Sequence, residues 1–430
     1  MQRRFPELIR AFSKVKDSRK RKYYGMEEIL MGGLGMFLLK QGSGNSINNK
    51  RREANFAEHY EETFSVRLPH QDTVAEVLCE LAPEELEQVK MDSMSKFLEQ
   101  KWLRKSRLLK QYYLVAIDAT GVVSFDHRHC EHCLTRKSKN GETTYFHYVL
   151  EAKLVTACGF CFSLATEWVE NPEGEFDKQD CERKAFIRLA AKLKKHYSRL
   201  FICILADGLY PYDGAFSICE TNAWKYIFVL PEKSLKTVHE ELTLSKLRKP
   251  IAESYTVKQG WRIGGAYRCQ NEIPYQKHSL NWFQCLETRV KEVKVGKEMI
   301  KKTKESCFEY VTNITPNKEN IQALSQAGRL RWKVENEGFN AQKCGDYELE
   351  HKYFRNSYTG LKNTYTLLQI AHAFNQLVEK SEPVKSLLET HSKETIRNIW
   401  CNLVAYMLFA TPLGKRPDDA DIYHIPPHPS

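Results

Sequence analysis

The chain has 430 residues, 42% of them hydrophobic and 11% aromatic, which excludes a disordered chain and exceeds what one hydrophobic core usually organises, so two or three domains are expected. The formal net charge is +11, from 65 Lys and Arg against 54 Asp and Glu, a surplus suited to a polyanionic partner. The 13 cysteines, an odd number scattered from Cys79 to Cys401, argue against a disulfide scaffold and for a reducing, cytoplasmic setting. MQRRFPELIRAF lacks the apolar region of a secretion signal, and the most apolar stretch, Ile29–Leu39, is too short to span a bilayer.

Residues 1–108 read as helical. Met26–Lys40 is an apolar helix loosened by Gly32, Gly33 and Gly35, and QGSGNS ends it. Ser46 is expected to begin the next helix, Asp72 to cap TVAEVLCEL, and Pro83 to open the helix that follows. The basic runs Arg19–Lys22 and Lys101–Lys110 are either solvated faces or DNA contacts. From Gln111 the texture changes. YYLVAIDATGVVSF is a continuous apolar run rich in β-branched and aromatic residues, expected of a strand buried on both faces. Strands over Thr143–Thr156 and Cys161–Val169 follow, joined by a tight turn at Gly159, then a helix opened by Asp180 with a basic outer face. LFICILAD is a short buried strand ending at Asp207; a helix and the strand KYIFVLP come next. Residues 232–306 read as a β-rich insertion of short strands, and FEYVTNI (308–314) as a return to a buried strand. Asn320 is expected to cap the helix that reaches Arg329–Lys343; Tyr358–Lys380 and 395–410 are further helices, and the Pro/Asp/His tail is expected to be disordered.

Arg329–Lys343 carries most of the functional argument. At about 100° per residue, Leu330, Val334 and Ala341 fall on one stripe and Trp332 and Phe339 on another, with Arg331, Glu335 and Gln342 between them. Glu337 lies on the far side, so Glu335 is the acid of interest. Asp118 and Asp207 each follow an apolar run, where a carboxylate is costly unless hydrogen-bonded or metal-bound. Each alone could be a turn former. The order strand–strand–strand–helix–strand, an insertion, then a strand and a long helix matches an RNase H-like α/β core, in which the first and fourth strands lie adjacent and the late helix crosses them. That brings Asp118, Asp207 and Glu335 together, and converging carboxylates call for a divalent cation; two Mg²⁺ ions, or Mn²⁺, would suit phosphoryl transfer.

These segments resemble the DDE transposases of bacterial insertion sequences, in the insertion-sequence-4-like branch whose third acid lies in a Y-(2)-R-(3)-E-(6)-K signature. AIDATG is similar to the first-Asp motif, LADG to the second, and RLRWKVENEGFN to the third, and the similarity covers most of residues 110–380. The resemblance implies that Asp118, Asp207 and Glu335 bind metal and that Arg331 is the signature arginine. Two positions depart from it: Gly328 stands at the Tyr position and Gln342 at the Lys position, with Lys343 next to it. These residues would contact phosphate near the cleaved end, and Lys343 has the reach of a flexible point charge. The resemblance also implies that the β-rich insertion holds the transposon end; Trp261 and Trp282 are candidates to stack on a flipped base, with core packing as the alternative for each.

HRHCEHC offers Cys130, Cys133, His127 and His129 for a local zinc site, although one C-x2-C lacks a second ligand pair. Cys158 and Cys161 form another C-x2-C, but a strand separates the two pairs by roughly 40 Å at about 3.3 Å per residue.

The sequence therefore predicts a helical DNA-end-binding region (1–108), an RNase H-like core in two parts (109–231 and 307–380), a β-rich insertion (232–306) and a helical tail (381–430). The expected activity is Mg²⁺-dependent cleavage at transposon ends and strand transfer of the 3′-hydroxyl into target double-stranded DNA, by a homodimer in the DNA complex. A nuclease of the same fold without transposition, and a DNA-binding relative without catalysis, are the alternatives.

Overall fold

The computed structural model describes residues 5–172, 178–245, 249–295, 298–354, 357–391 and 393–410. The tail beyond residue 410, expected to be disordered, lies outside them. The protein is mixed α/β and divides into two compact units: residues 1–89, 346–348 and 353–430, and residues 90–345 and 349–352. Among the described residues, no helix is long and apolar enough to cross a membrane.

The first unit is helical. Its elements are α1 (Phe5–Phe12), α2 (Met26–Leu38), α3 (Gly44–Arg51), α4 (Ala54–Phe64), α5 (Gln71–Glu80) and the start of α6 (Pro83–Leu98). Helix α2 is buried almost throughout, and its glycines do not loosen it. A Cβ on Gly32 would meet Pro69 Cγ at 2.7 Å and one on Gly33 would meet Leu367 Cδ1 at 2.8 Å, so these glycines admit close neighbours. Two expected caps shift by a few residues. Ser43, not Ser46, caps α3, its hydroxyl accepting the Ser46 N–H at 3.2 Å. His70 precedes α5, which leaves Asp72 in the first turn, where its charge complements the helix dipole. In the basic run 19–22, Arg19 donates to Asp17 at 2.9 Å and to the Tyr24 carbonyl, so part of that charge is used internally.

The second unit takes over inside α6, between Val89 and Lys90, and not at 108. After α7 (Lys101–Arg104), Leu109 and Lys110 turn with positive φ into β1 (Tyr113–Phe125). Then come β2 (Leu134–Lys137), β3 (Thr143–Val155), β4 (Cys161–Val169), α8 (Glu182–His196), β5 (Ile202–Ala206), α9 (Asp213–Thr221) and β6 (Lys225–Val229). Strand β1 pairs antiparallel with β3 and parallel with β5; β5 continues parallel to β6, and β3 pairs antiparallel with β4. Gly159, at φ +88°, makes the tight β3–β4 turn.

The expected β-rich insertion opens with a helix, α10 (Lys236–Leu244), and its strands are long: β7 (Ala252–Lys258), β8 (Trp261–Tyr275), β9 (His278–Val295) and β10 (Glu298–Thr312). They extend the same sheet. Strand β10 pairs with β9 along its length and, at Tyr310–Thr312, with β6, so no domain boundary falls at residue 306. A fifteen-residue strand that begins in charged sequence and ends in FEYVT reads locally as two pieces, because only its end is buried.

The expected helix over Arg329–Lys343 is broken into three. Helix α11 (Ile321–Arg329) leads through a short turn into a π-helix, Val334–Asn340, and then α12 (Ala341–Cys344). The chain then rejoins the first unit with α13 (Tyr358–Glu379), α14 (Glu382–Thr390) and α15 (Ile396–Phe409). Helix α13, expected to belong to the catalytic core, packs on α2 and α5; Asn363 Nδ2 donates to the Leu78 and Leu81 carbonyls at 2.8 and 2.7 Å.

Candidate active site

Alternation along two adjacent strands sets the first two acids. In β1, Leu114 and Ala116 face a buried cluster, and Asp118 is next in that alternation; in β5 the series is Cys203, Leu205, Asp207. The strands run parallel with Ala116 opposite Leu205, so the two aspartates stand at equivalent positions just beyond the paired segment. Val334 and Phe339 belong to the same buried cluster and are both wholly buried. A strict α-helix would set residues five apart about 140° apart, whereas a π turn closes after about that interval. The π-helix thus lays Val334 and Phe339 on one face and presents the residue after Val334, Glu335, beside the sheet.

The electrostatics place the acids in one field. Burial pushes the Asp118 carboxyl up to about 6; the Ala119 N–H (3.0 Å) and Arg331 oppose this, and the negative charges of Asp207 and Glu335 add to it. Arg331 Nη1 lies 3.5 Å from Asp118 Oδ2. Glu337 is engaged elsewhere, 2.5 Å from Lys333 Nζ. Asp207 Oδ1 accepts the Leu209 N–H at 2.9 Å, so this residue also makes the expected turn. Gly208 is required there, since a Cβ would fall 2.2 Å from Pro231 Cγ.

A fourth carboxylate was not anticipated from sequence. Glu182, in the first turn of α8, accepts the Tyr210 hydroxyl at 2.8 Å, and burial together with the charges of Asp207 and Asp118 pushes it up to about 7. The Tyr148 phenol, on β3 opposite Gly121, is held up to about 12 by burial and by Glu182, Asp118, Asp207 and Glu335 in turn. One hydroxyl therefore senses all four acids. The only sequence signal for Glu182 is an acid at a helix start, which the helix dipole explains as well.

An all-carboxylate donor set fits a hard divalent cation such as Mg²⁺ or Mn²⁺. Among the described residues the acids do not bring their oxygens all within 4.8 Å of one another. Their mutual repulsion opposes closer approach.

The residues expected to handle DNA scatter. Gln342 is wholly buried, and its carbonyl accepts the Leu349 N–H at 3.1 Å; the break into a π-helix turns it inward, contrary to the α-helical projection. Lys343 reaches the surface and pairs with Glu350 at 2.9 Å. Trp282 is buried within β9, in a packing position, and Trp261 is half-buried at the start of β8 with Lys291 Nζ 6.0 Å from its ring. Trp332, expected on an apolar ridge, is instead 54% exposed, and the Arg331 guanidinium sits 4.8 Å from its ring centroid. Gly328 sits against Tyr310, whose Cε1 a Cβ would meet at 2.7 Å.

Of the His/Cys cluster, the donors that meet are Cys130, Cys133 and His147. His127 is exposed and bonds Asp126 at 2.6 Å; His129 lies against Phe125, ring centroids 3.7 Å apart. His147 escaped the sequence reading because only the strand register brings it alongside the cysteines. No family model matches the chain, and no curated protein matches it in sequence.

Proposed function

We propose that the second unit is the RNase H-like catalytic core of a DDE-type DNA transposase, acting in the cytoplasm on transposon-end and target double-stranded DNA, with two copies joined in the DNA complex. The strand order β4-β3-β1-β5-β6, antiparallel up to β1 and parallel beyond it, supports the RNase H-like reading. The observation that carries the function is the equivalent placement of Asp118 and Asp207 on neighbouring parallel strands, with the π-helix that bears Glu335 packed against β1. Three carboxylates so arranged suit in-line phosphoryl transfer.

Asp118, Asp207 and Glu335 would hold the divalent cations, which when bound activate water or a 3′-hydroxyl and neutralise the leaving oxygen. Arg331 provides a cation at the rim of the site. Its Nε is buried without a hydrogen-bond partner, a donor suited to a phosphate oxygen. Trp332, exposed beside it, offers a face on which a base can stack. Lys343 would add a further phosphate contact. The net charge of +11 favours association with DNA.

The test is to incubate the full chain with its own flanking DNA and Mg²⁺ and map the cuts. Wild-type protein should cleave at the element's ends and join the 3′-hydroxyl to target. The Asp118→Ala, Asp207→Ala and Glu335→Ala variants should bind the ends without cutting. Undiminished cutting by these variants would overturn the assignment, and cutting without joining would leave a nuclease.

A further inference from the structure

Cys130, Cys133 and His147 differ from the acids in kind, and His147 stands opposite Val123 of β1, away from the Asp118 position opposite Glu151. The Cys130 and Cys133 sulfurs are 3.7 Å apart, and His147 Nε2 is 3.5 Å from the first and 3.6 Å from the second. A tetrahedron with Zn–S bonds of ~2.3 Å and Zn–N bonds of ~2.0 Å has edges of about 3.8 Å between sulfurs and about 3.5 Å between sulfur and nitrogen. The three donors thus already occupy three corners of a zinc coordination shell. The same 3.7 Å is far beyond the ~2.0 Å of a disulfide.

The fold explains how they meet. Leu134 pairs with Phe146 across β2 and β3, which puts Cys133 and His147 at adjoining positions at the start of that ladder. Cys133 and His147 are both buried. The turn between the cysteines closes with the Cys133 N–H on the Cys130 carbonyl, and the buried Asn171 holds it from outside, donating to the Cys133 carbonyl at 2.9 Å. His132 Nδ1 lies 2.9 Å from the Asn171 carbonyl. Such outer contacts fix ligands before a metal arrives.

We propose that Cys130, Cys133 and His147 bind one structural Zn²⁺, tying the loop after β1 to β3. Two thiolates and an imidazole select zinc over the hard cations that suit the acids. Binding releases the two thiol protons to solvent, with no redox change. A fourth donor comes from an imidazole at this end of the sheet or from water. His129 lies against Phe125, and Lys352 Nζ, next to His351 in the chain, sits 5.2 Å from the same ring.

The experiment measures zinc per chain, under reducing conditions, in the full-length protein and its variants. The wild type should carry about one equivalent, and Cys133→Ser and His147→Ala should fall at least about tenfold, whereas His127→Ala should keep its metal. Cobalt substituted into the wild type should give the intense visible bands of a tetrahedral site and a thiolate charge-transfer band. If His147→Ala does not fold, His147→Cys should retain the metal with a stronger charge-transfer band. Failure of folded wild-type protein to take up zinc, or undiminished zinc in a Cys130→Ser/Cys133→Ser variant, would overturn the proposal. Neither result touches the acid site, whose readout is DNA cleavage.

Discussion

Arg331 and Asp118 are an incomplete ion pair: the guanidinium reaches within 3.5 Å of the carboxylate, yet burial still leaves Asp118 at about 6. The carboxyl is raised above its ordinary value, so its protonated form stabilises the fold at low pH and that contribution is lost as pH rises through 6. Asp118→Asn removes the penalty. In the absence of divalent cations it should be more stable than wild type at pH 7.5, by about 2 kcal/mol, and equal to it near pH 4. Chemical denaturation at the two pH values measures both. A variant no more stable than wild type at pH 7.5 would refute the strained-carboxylate account.

The π-helix separates the two glutamates. Glu335 acts on Asp118, whereas Glu337 pairs with Lys333. On the proposed function, Glu335→Gln should reduce end cleavage by at least about a hundredfold, since it removes one of the charges that would hold the divalent cations. Glu337→Gln should stay within a few-fold of wild type and cost about 0.5 kcal/mol, the worth of a partly exposed pair. Equal losses in the two variants would contradict the geometry.

The placement of Asp118 and Asp207 was legible in the sequence because a carboxylate directly after an apolar run, inside β1 in one case and just past β5 in the other, stands out against its neighbours. An α-helical projection separates Glu335 from Glu337, as the structure does, but it also puts Trp332 on an apolar ridge and Gln342 on the polar stripe with Arg331 and Glu335. The π turn, which depends on where Val334 and Phe339 can bury, reverses both. His147 needed the β2–β3 register, and Glu182 needed the packing of α8 against the strands. The partner of α13 is likewise invisible locally, since its buried face answers to α2 and α5 some three hundred residues earlier.

Gly328, a departure from the tyrosine of the signature, is explained by Tyr310. The ring of Tyr310 occupies the volume a side chain at 328 would need, with contacts of 2.7 and 2.8 Å to an added Cβ. Restoring the signature by Gly328→Tyr should therefore destabilise the protein by about 3 kcal/mol. Tyr310→Ala alone should cost a similar ~3 kcal/mol through the cavity it leaves. Combined, the two should cost less than their sum by at least about 1 kcal/mol, because the new ring can enter the vacated space. Strict additivity in thermal unfolding would show that the two positions do not compete.

Glu182 gives the site a pH dependence of its own. Its carboxyl sits at about 7 because it is buried and because Asp207 and Asp118 repel its charge, and that repulsion is reciprocal. Glu182 therefore ionises as pH rises through 7, above the range in which Asp118 ionises, and adds a negative charge to the site. Glu182→Gln keeps a group able to accept the Tyr210 hydroxyl and removes the charge. The onset of Mn²⁺ binding, followed by electron paramagnetic resonance between pH 5 and 8, should stay where it is in wild type, and the variant should lack the further gain in affinity that the Glu182 charge adds above pH 7. If Glu182 is instead itself a ligand, the variant should bind Mn²⁺ more weakly at every pH, including pH 6. Equal affinity of the variant and wild type at pH 8 would exclude the electrostatic role.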